Sequence, residues 1–239
     1  MDILFKFATR GRPAKFISCI DNIKSLLSGK HNYSILVTLD EDDPAYANYQ
    51  KEYGKIRDKT NIYFANVKES QGKVYAINYG VNEFTGKWDC LVNYSDDMAF
   101  IVRGWDDILS MDIAHAFGNT SDWFAHYNDG FVAEKLPTMS IMGKDYYDRF
   151  GYIYHPLYKS FSCDAEAMYV AMMLGKHRYF NKILFKHLHY SNILEKIDQT
   201  YMKNDEAFTY DTDVYFKRMN NNFDVIDPIC VPFENEKRK

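Results

Sequence analysis

The sequence predicts an α/β fold in which a mostly parallel sheet is covered by helices on both faces. Three observations carry this expectation. Apolar strand-like runs alternate with helical patterns through the first hundred residues, the 239-residue chain is long enough for one substantial core, and no internal repeat or Gly/Ser/Pro linker divides it.

Residues 3–8 read as the first strand and 9–13 as a loop. A helix is expected over 16–27, where Phe16, Ile20, Ile23 and Leu27 recur at helical spacing. Strand 33–39 runs into the acidic turn Asp40-Glu41-Asp42-Asp43, and a helix over 43–53 follows. Strand 62–67, helix 73–83 and strand 89–93 complete this half. Beyond Asp97 the alternation weakens. Helix 105–117, short strands 123–128 and 138–142, and helices 164–174, 192–203 and 211–220 are expected, with a turn at Asp129-Gly130. Residues 1–232 thus form one catalytic-sized domain, with 1–97 and 98–232 as its halves and 233–239 as a flexible tail.

Composition narrows the function classes. The chain is 46% hydrophobic and 26% charged, with 20 Tyr, 17 Phe and 3 Trp, which is globular and unusually aromatic. A net charge of -4 gives no general attraction to a nucleic-acid backbone. The 4 cysteines are far apart and form no CxxC pair, so they read as free thiols. No run approaches the roughly 20 apolar residues of a membrane span, and the chain reads as soluble and cytoplasmic.

The pattern richest in chemistry is Trp88 to Asp97, an apolar strand that runs into the pair Asp96-Asp97. Adjacent carboxylates repel, and Mg²⁺ or Mn²⁺ relieves the repulsion while leaving positions for phosphate oxygens. Ser, Asp and Asp also suit an ordinary strand-to-loop turn. A second group, Ser162-Cys163-Asp164-Ala165-Glu166, opens a helical pattern, where carboxylates also favour the helix dipole. A third is Lys186-His187-Leu188-His189; if extended, His187 and His189 share one face and an imidazole can join a carboxylate on Mn²⁺. The aromatic stretch holding Tyr147, Tyr152, Tyr154, His155 and Tyr158 offers rings for stacking on a sugar or base, or for the core.

Taken in order, Thr9-Arg10-Gly11-Arg12-Pro13, Asp40 to Asp43, Lys73-Val74-Tyr75-Ala76-Ile77-Asn78-Tyr79-Gly80 and Ser95-Asp96-Asp97 resemble a family-two-type glycosyltransferase with the GT-A (nucleotide-diphospho-sugar transferase) fold. The chain is also similar to glycosyltransferase-like proteins of phages and bacteria. The resemblance spans roughly residues 3 to 190. It implies a metal-dependent, inverting transferase that moves a sugar from a nucleoside diphosphate donor, UDP by default, to a hydroxyl acceptor, either a saccharide or a modified base in DNA.

The resemblance also implies roles for individual residues. Asp97 matches a metal ligand of the DxD-type motif; Ser95 stands where the stricter motif has its first carboxylate, so Asp96 becomes a ribose or second-sphere contact. Asp40, and with it Asp42, matches the acidic contact to base or ribose. Thr9, Arg10 and Arg12 belong to the loop facing base and diphosphate, and Lys73 and Asn78 lie beside the nucleotide. Asp164 matches the base that deprotonates the acceptor, with Glu166 as the second candidate. A histidine near His187 and His189 joins the metal or diphosphate, and the match does not select between them. A nucleotidyltransferase, or a nucleotide-sugar-binding protein without activity, is the alternative; the former favours a Gly-rich phosphate loop that Thr9 to Pro13 does not supply.

Overall fold

The computed structural model describes residues 1–56, 58–189 and 207–233. In chain order its elements are β1(Asp2–Thr9), α1(Pro13–Leu26), β2(Asn32–Asp40), α2(Tyr46–Gly54), β3(Ile62–Val67), α3(Lys73–Asn78), β4(Cys90–Tyr94) and β5(Met98–Phe100). There follow α4(Trp105–Phe117), β6(Phe124–Asn128), β7(Ile141–Gly143), α5(Lys144–Asp148), α6(Cys163–Met173), β8(His177–Ile183), β9(Phe185–His187) and α7(Phe208–Asn220).

Seven strands form the central sheet in the order β3-β2-β1-β4-β7-β6-β8. β1 pairs in parallel with β2 and β4, and β2 with β3. Only β7 runs against its neighbours. The expected mostly parallel sheet is therefore observed. β5 and β9 form a separate antiparallel ribbon.

Strand alternation explains the two-sided core. Ile3, Phe5 and Phe7 of β1 point to one face, where Phe16, Ile20 and Ile23 of α1 and Trp105 and Leu109 of α4 cover them. Leu4 points to the other face, against Val74 and Ile77 of α3, Tyr146 and Ala171. A third cluster packs α6 on α7 through Val170, Met173 and Met219, and takes in Phe233.

Several elements depart from the sequence expectation for local reasons. α2 begins at Tyr46 rather than Asp43, because the Asp43 carboxylate accepts from the Ala45 amide at 2.8 Å and forms a turn before the helix. α3 stops at Asn78; Tyr79 is extended and Gly80 turns with φ +84. β8, the β5–β9 ribbon and α5 are elements that periodicity did not reveal. The helix expected over 192–203 and, apart from Phe233, the tail over 233–239 lie outside the described residues. The turn at Asp129-Gly130 is present, with Asp129 Oδ1 accepting from the amides of Phe131 and Val132 at 2.9 Å each. Tyr147, Tyr154 and Tyr158 are core residues, each no more than 3% exposed. Among the described residues no helix is long and apolar enough to cross a membrane.

Candidate active site

Strands β1, β2, β3 and β4 run in the same direction, so their carboxyl ends meet along one sheet edge. In parallel α/β sheets ligands bind at such an edge, because the loops there are free of the ladder and helix N-termini point at it. Most of the residues singled out in the sequence lie on this edge.

Two arginines divide it. Arg10 reaches outward, its guanidinium donating to Asp40 at 2.8 Å and to Asp42 at 2.7 Å. Arg12 turns inward and donates to Asp96 Oδ1 at 2.7 Å, while the Thr9 hydroxyl donates to Asp96 Oδ2 at 2.7 Å. Arg12 and Asp96 are both buried. Burial raises Asp96 to about 6, against the pull of Arg12 and Thr9 toward the ionised form. The Tyr49 hydroxyl accepts from the Arg12 amide and meets Thr9 Oγ1, both at 2.9 Å, and Asp43 Oδ2 accepts from the Gly11 amide at 2.6 Å. Tyr49 and Asp43 thus shape the loop after β1, a role that sequence reading missed. Asp43-Pro44 carried the signal, since an Asp-Pro step favours a turn and leaves the carboxylate available.

Asp97 occupies a different setting from its neighbour. Burial on its own would raise its carboxyl, yet His187 and Ser95 hydrogen bonds and the Lys73 charge hold it well below the ordinary range. His187 Nε2 lies 3.5 Å from Asp97 Oδ1. The ribbon sets this distance: β5 begins directly after Asp97, Met98 pairs with His187, and the Leu188 amide donates to the Asp97 carbonyl at 2.6 Å. The His189 ring lies 5.3 Å from that of His187, and burial lowers His189 to about 4, so it is a neutral imidazole near pH 7.

Lys73 and Asp164 are coupled to this pair by charge. The Lys73 charge acts on Asp97, Asp164 and His189. The first turn of α3 is joined to the loop before α6 where the Val74 amide donates to the Lys159 carbonyl at 3.0 Å. Asp164 sits in the first turn of α6, and burial raises its carboxyl while Lys73, backbone amides and His187 oppose the rise. A carboxylate shifted upward from its ordinary range is better matched to accepting a proton near neutral pH.

Two of the sequence candidates are directed elsewhere. Asn78 donates to the Tyr154 carbonyl at 2.7 Å and accepts from the Ile153 and Tyr154 amides at 2.9 and 3.1 Å, clamping that backbone. Glu166 is buried against Arg218, which donates to both of its oxygens, and it accepts from the Tyr158 hydroxyl at 2.6 Å. Both side chains stabilise packing between segments.

The donors around Asp97 suit a divalent cation by chemistry, since carboxylate oxygen and neutral imidazole both ligate Mn²⁺. Among the described residues no three His, Cys, Asp or Glu side chains form a metal cluster. A cation held by Asp97 and an imidazole would take further ligands from phosphate oxygens and water.

No protein-family model and no curated protein matches the chain by sequence. Solved structures do match. The mannosyltransferase PcManGT from Pyrobaculum calidifontis, in complex with GDP-Man and Mn²⁺, is 12% identical over 92% of this chain and 72% of its own, with a TM-score of 0.60. TarS from S. aureus in complex with UDP is 13% identical over 95% of this chain and 68% of its own, with a TM-score of 0.62. The complex of TarS with UDP-GlcNAc matches to the same extent. On this structural likeness the chain has the GT-A fold of glycosyltransferases.

Proposed function

We propose that the chain is a metal-dependent, inverting glycosyltransferase that moves a sugar from a nucleoside diphosphate, UDP by default, to a hydroxyl acceptor. The observation that carries this reading is the pairing of Asp97 with His187 just beyond the carboxyl end of β4, with the charge of Lys73 acting on both Asp97 and Asp164. The likeness to transferases solved with nucleotide sugars supports it.

In this reading Asp97 and His187 hold Mn²⁺ or Mg²⁺, which when bound neutralises charge on the departing diphosphate. Lys73 adds a fixed positive charge beside the same group. Arg10 with Asp40 and Asp42 receives the base and ribose, and Asp96, held by Thr9 and Arg12, keeps the loop after β1 in shape. Asp164 takes the proton from the acceptor hydroxyl as its oxygen bonds to the anomeric carbon. The bond from that carbon to the diphosphate breaks on the opposite face, which inverts the configuration.

Incubation with labelled nucleotide sugars, Mn²⁺ and hydroxyl acceptors, both saccharides and hydroxymethylated DNA, tests the reading. Release of UDP with transfer of label, abolished by a chelator, is expected. Release of pyrophosphate from a nucleoside triphosphate in place of sugar transfer would overturn it.

A further inference from the structure

Asp211 lies on α7, far from the sheet edge in sequence, and its carboxylate is fully buried. A buried carboxylate needs hydrogen-bond donors to offset the loss of water. Asp211 takes its donors from consecutive backbone amides: Oδ1 accepts from Lys159 at 2.8 Å, and Oδ2 from Ser160 and Phe161 at 2.7 Å each. Charge-assisted bonds to successive amides fix a loop more tightly than neutral ones, because one anion constrains several peptide planes at once.

The loop held in this way leads into the segment that carries Asp164 and abuts the one that carries Lys73. Its next residue, Ser162, has φ 60 and turns the chain into α6, whose first turn carries Asp164. Its Lys159 carbonyl accepts from Val74, the residue after Lys73. Ser162 is not glycine, so its left-handed conformation is held by its surroundings rather than by preference. Lys159 also places its Nζ 4.4 Å from the Tyr210 ring, a second contact from α7 to the same loop.

We infer that Asp211 is a positioning residue for the transfer reaction: by binding the amides of Lys159, Ser160 and Phe161 it sets where Asp164 stands relative to Lys73. This inference rests on the role of Asp164 as acceptor base proposed above. Asp211 itself touches no reacting atom. Removing its charge leaves the loop with fewer acceptors than amides, and Asp164 loses its fixed position.

The test compares wild type, Asp211→Asn, Asp164→Asn and the double variant in sugar transfer from UDP-sugar with Mn²⁺, with uridine affinity as a folding control. Asp211→Asn is expected to bind uridine as wild type does and to lose about 10- to 100-fold in kcat, as displaced catalytic groups do. The double variant is expected to be no slower than Asp164→Asn, because Asp211 acts only through Asp164. A merely structural role would instead multiply the two losses, and that result overturns the inference. Full kcat in Asp211→Asn also overturns it, leaving the proposed function intact, whereas a wild type that transfers no sugar overturns both. If Asn prevents folding, Asp211→Glu keeps the charge on a longer arm and gives the same comparison.

Discussion

The imidazole of His187 is brought to within 3.5 Å of the Asp97 carboxylate by a two-stranded ribbon that stands apart from the main sheet. The ribbon holds this pair through its backbone: Met98 pairs with His187, and Leu188 binds the Asp97 carbonyl. The pairing, with the Ser95 hydrogen bond and the Lys73 charge, holds the Asp97 carboxyl below its ordinary range, and it places an oxygen and a nitrogen donor side by side.

Asp97→Asn is therefore expected to weaken Mn²⁺-supported UDP binding by at least about tenfold, or ~1.4 kcal/mol. His187→Gln should act in the same direction. Calorimetry with Mn²⁺ and with chelator measures both. A folded Asp97→Asn protein that binds UDP with undiminished metal dependence would remove Asp97 from the cation site.

Asp164→Asn keeps the shape of the side chain and removes its ability to take a proton. Transfer should fall about 10² to 10⁴-fold, with UDP affinity in the presence of Mn²⁺ unchanged. Single-turnover transfer and UDP titration separate the two effects. If Glu166→Gln abolishes transfer while Asp164→Asn does not, the base role moves to Glu166 despite its pairing with Arg218.

Asp40→Ala is expected to weaken free uridine as well as UDP by roughly 1–3 kcal/mol, because Asp40 orients Arg10 and, in the proposed function, offers acceptors to base or ribose. Competition binding with uridine and with UDP decides the matter. Weakening confined to UDP would assign Asp40 to the diphosphate instead.

Lys6 supplies a prediction about stability. It is fully buried in β1, its ammonium bonds to the Thr38 hydroxyl, and burial pushes it down from 10.5 to about 7. The unfolded chain therefore binds this proton first as pH falls from about 10, so stability drops between about pH 10 and 7 and levels off below that window. Lys6→Met should flatten this slope and stabilise the fold near neutral pH by roughly 1–3 kcal/mol. Denaturation midpoints measured across the window test it; parallel slopes for the two proteins would rule out Lys6 as their source.

The first half of the fold was legible because each element carried its own signal. β1 to β4 are apolar runs bounded by turn residues, α1 shows a clear helical period, and parallel strands with short loops bring their carboxyl ends to one edge. Sequence order alone thus placed Thr9, Arg10, Arg12, Asp40, Asp42, Asp96 and Asp97 together. What it left open was which of them pair. The split between Arg10 with Asp40 and Asp42, and Arg12 with Asp96, depends on how the loop after β1 turns against Tyr49 and Asp43. Local pattern holds no record of such long-range bonds.

The second half depended on tertiary structure. β5 and β9 are too short for periodicity to mark, so only their pairing brings His187 beside Asp97. Asp164 and Glu166 are alike in sequence, two carboxylates in the first turn of one helix. Helix rotation sends Glu166 to Arg218 and leaves Asp164 under the charge of Lys73. The sequence by itself determined the sheet, its direction and the chemistry available along its edge, because these follow from residue pattern within each segment. Partner choice was decided by the tertiary structure alone, since each partner comes from a distant segment whose approach is set by packing.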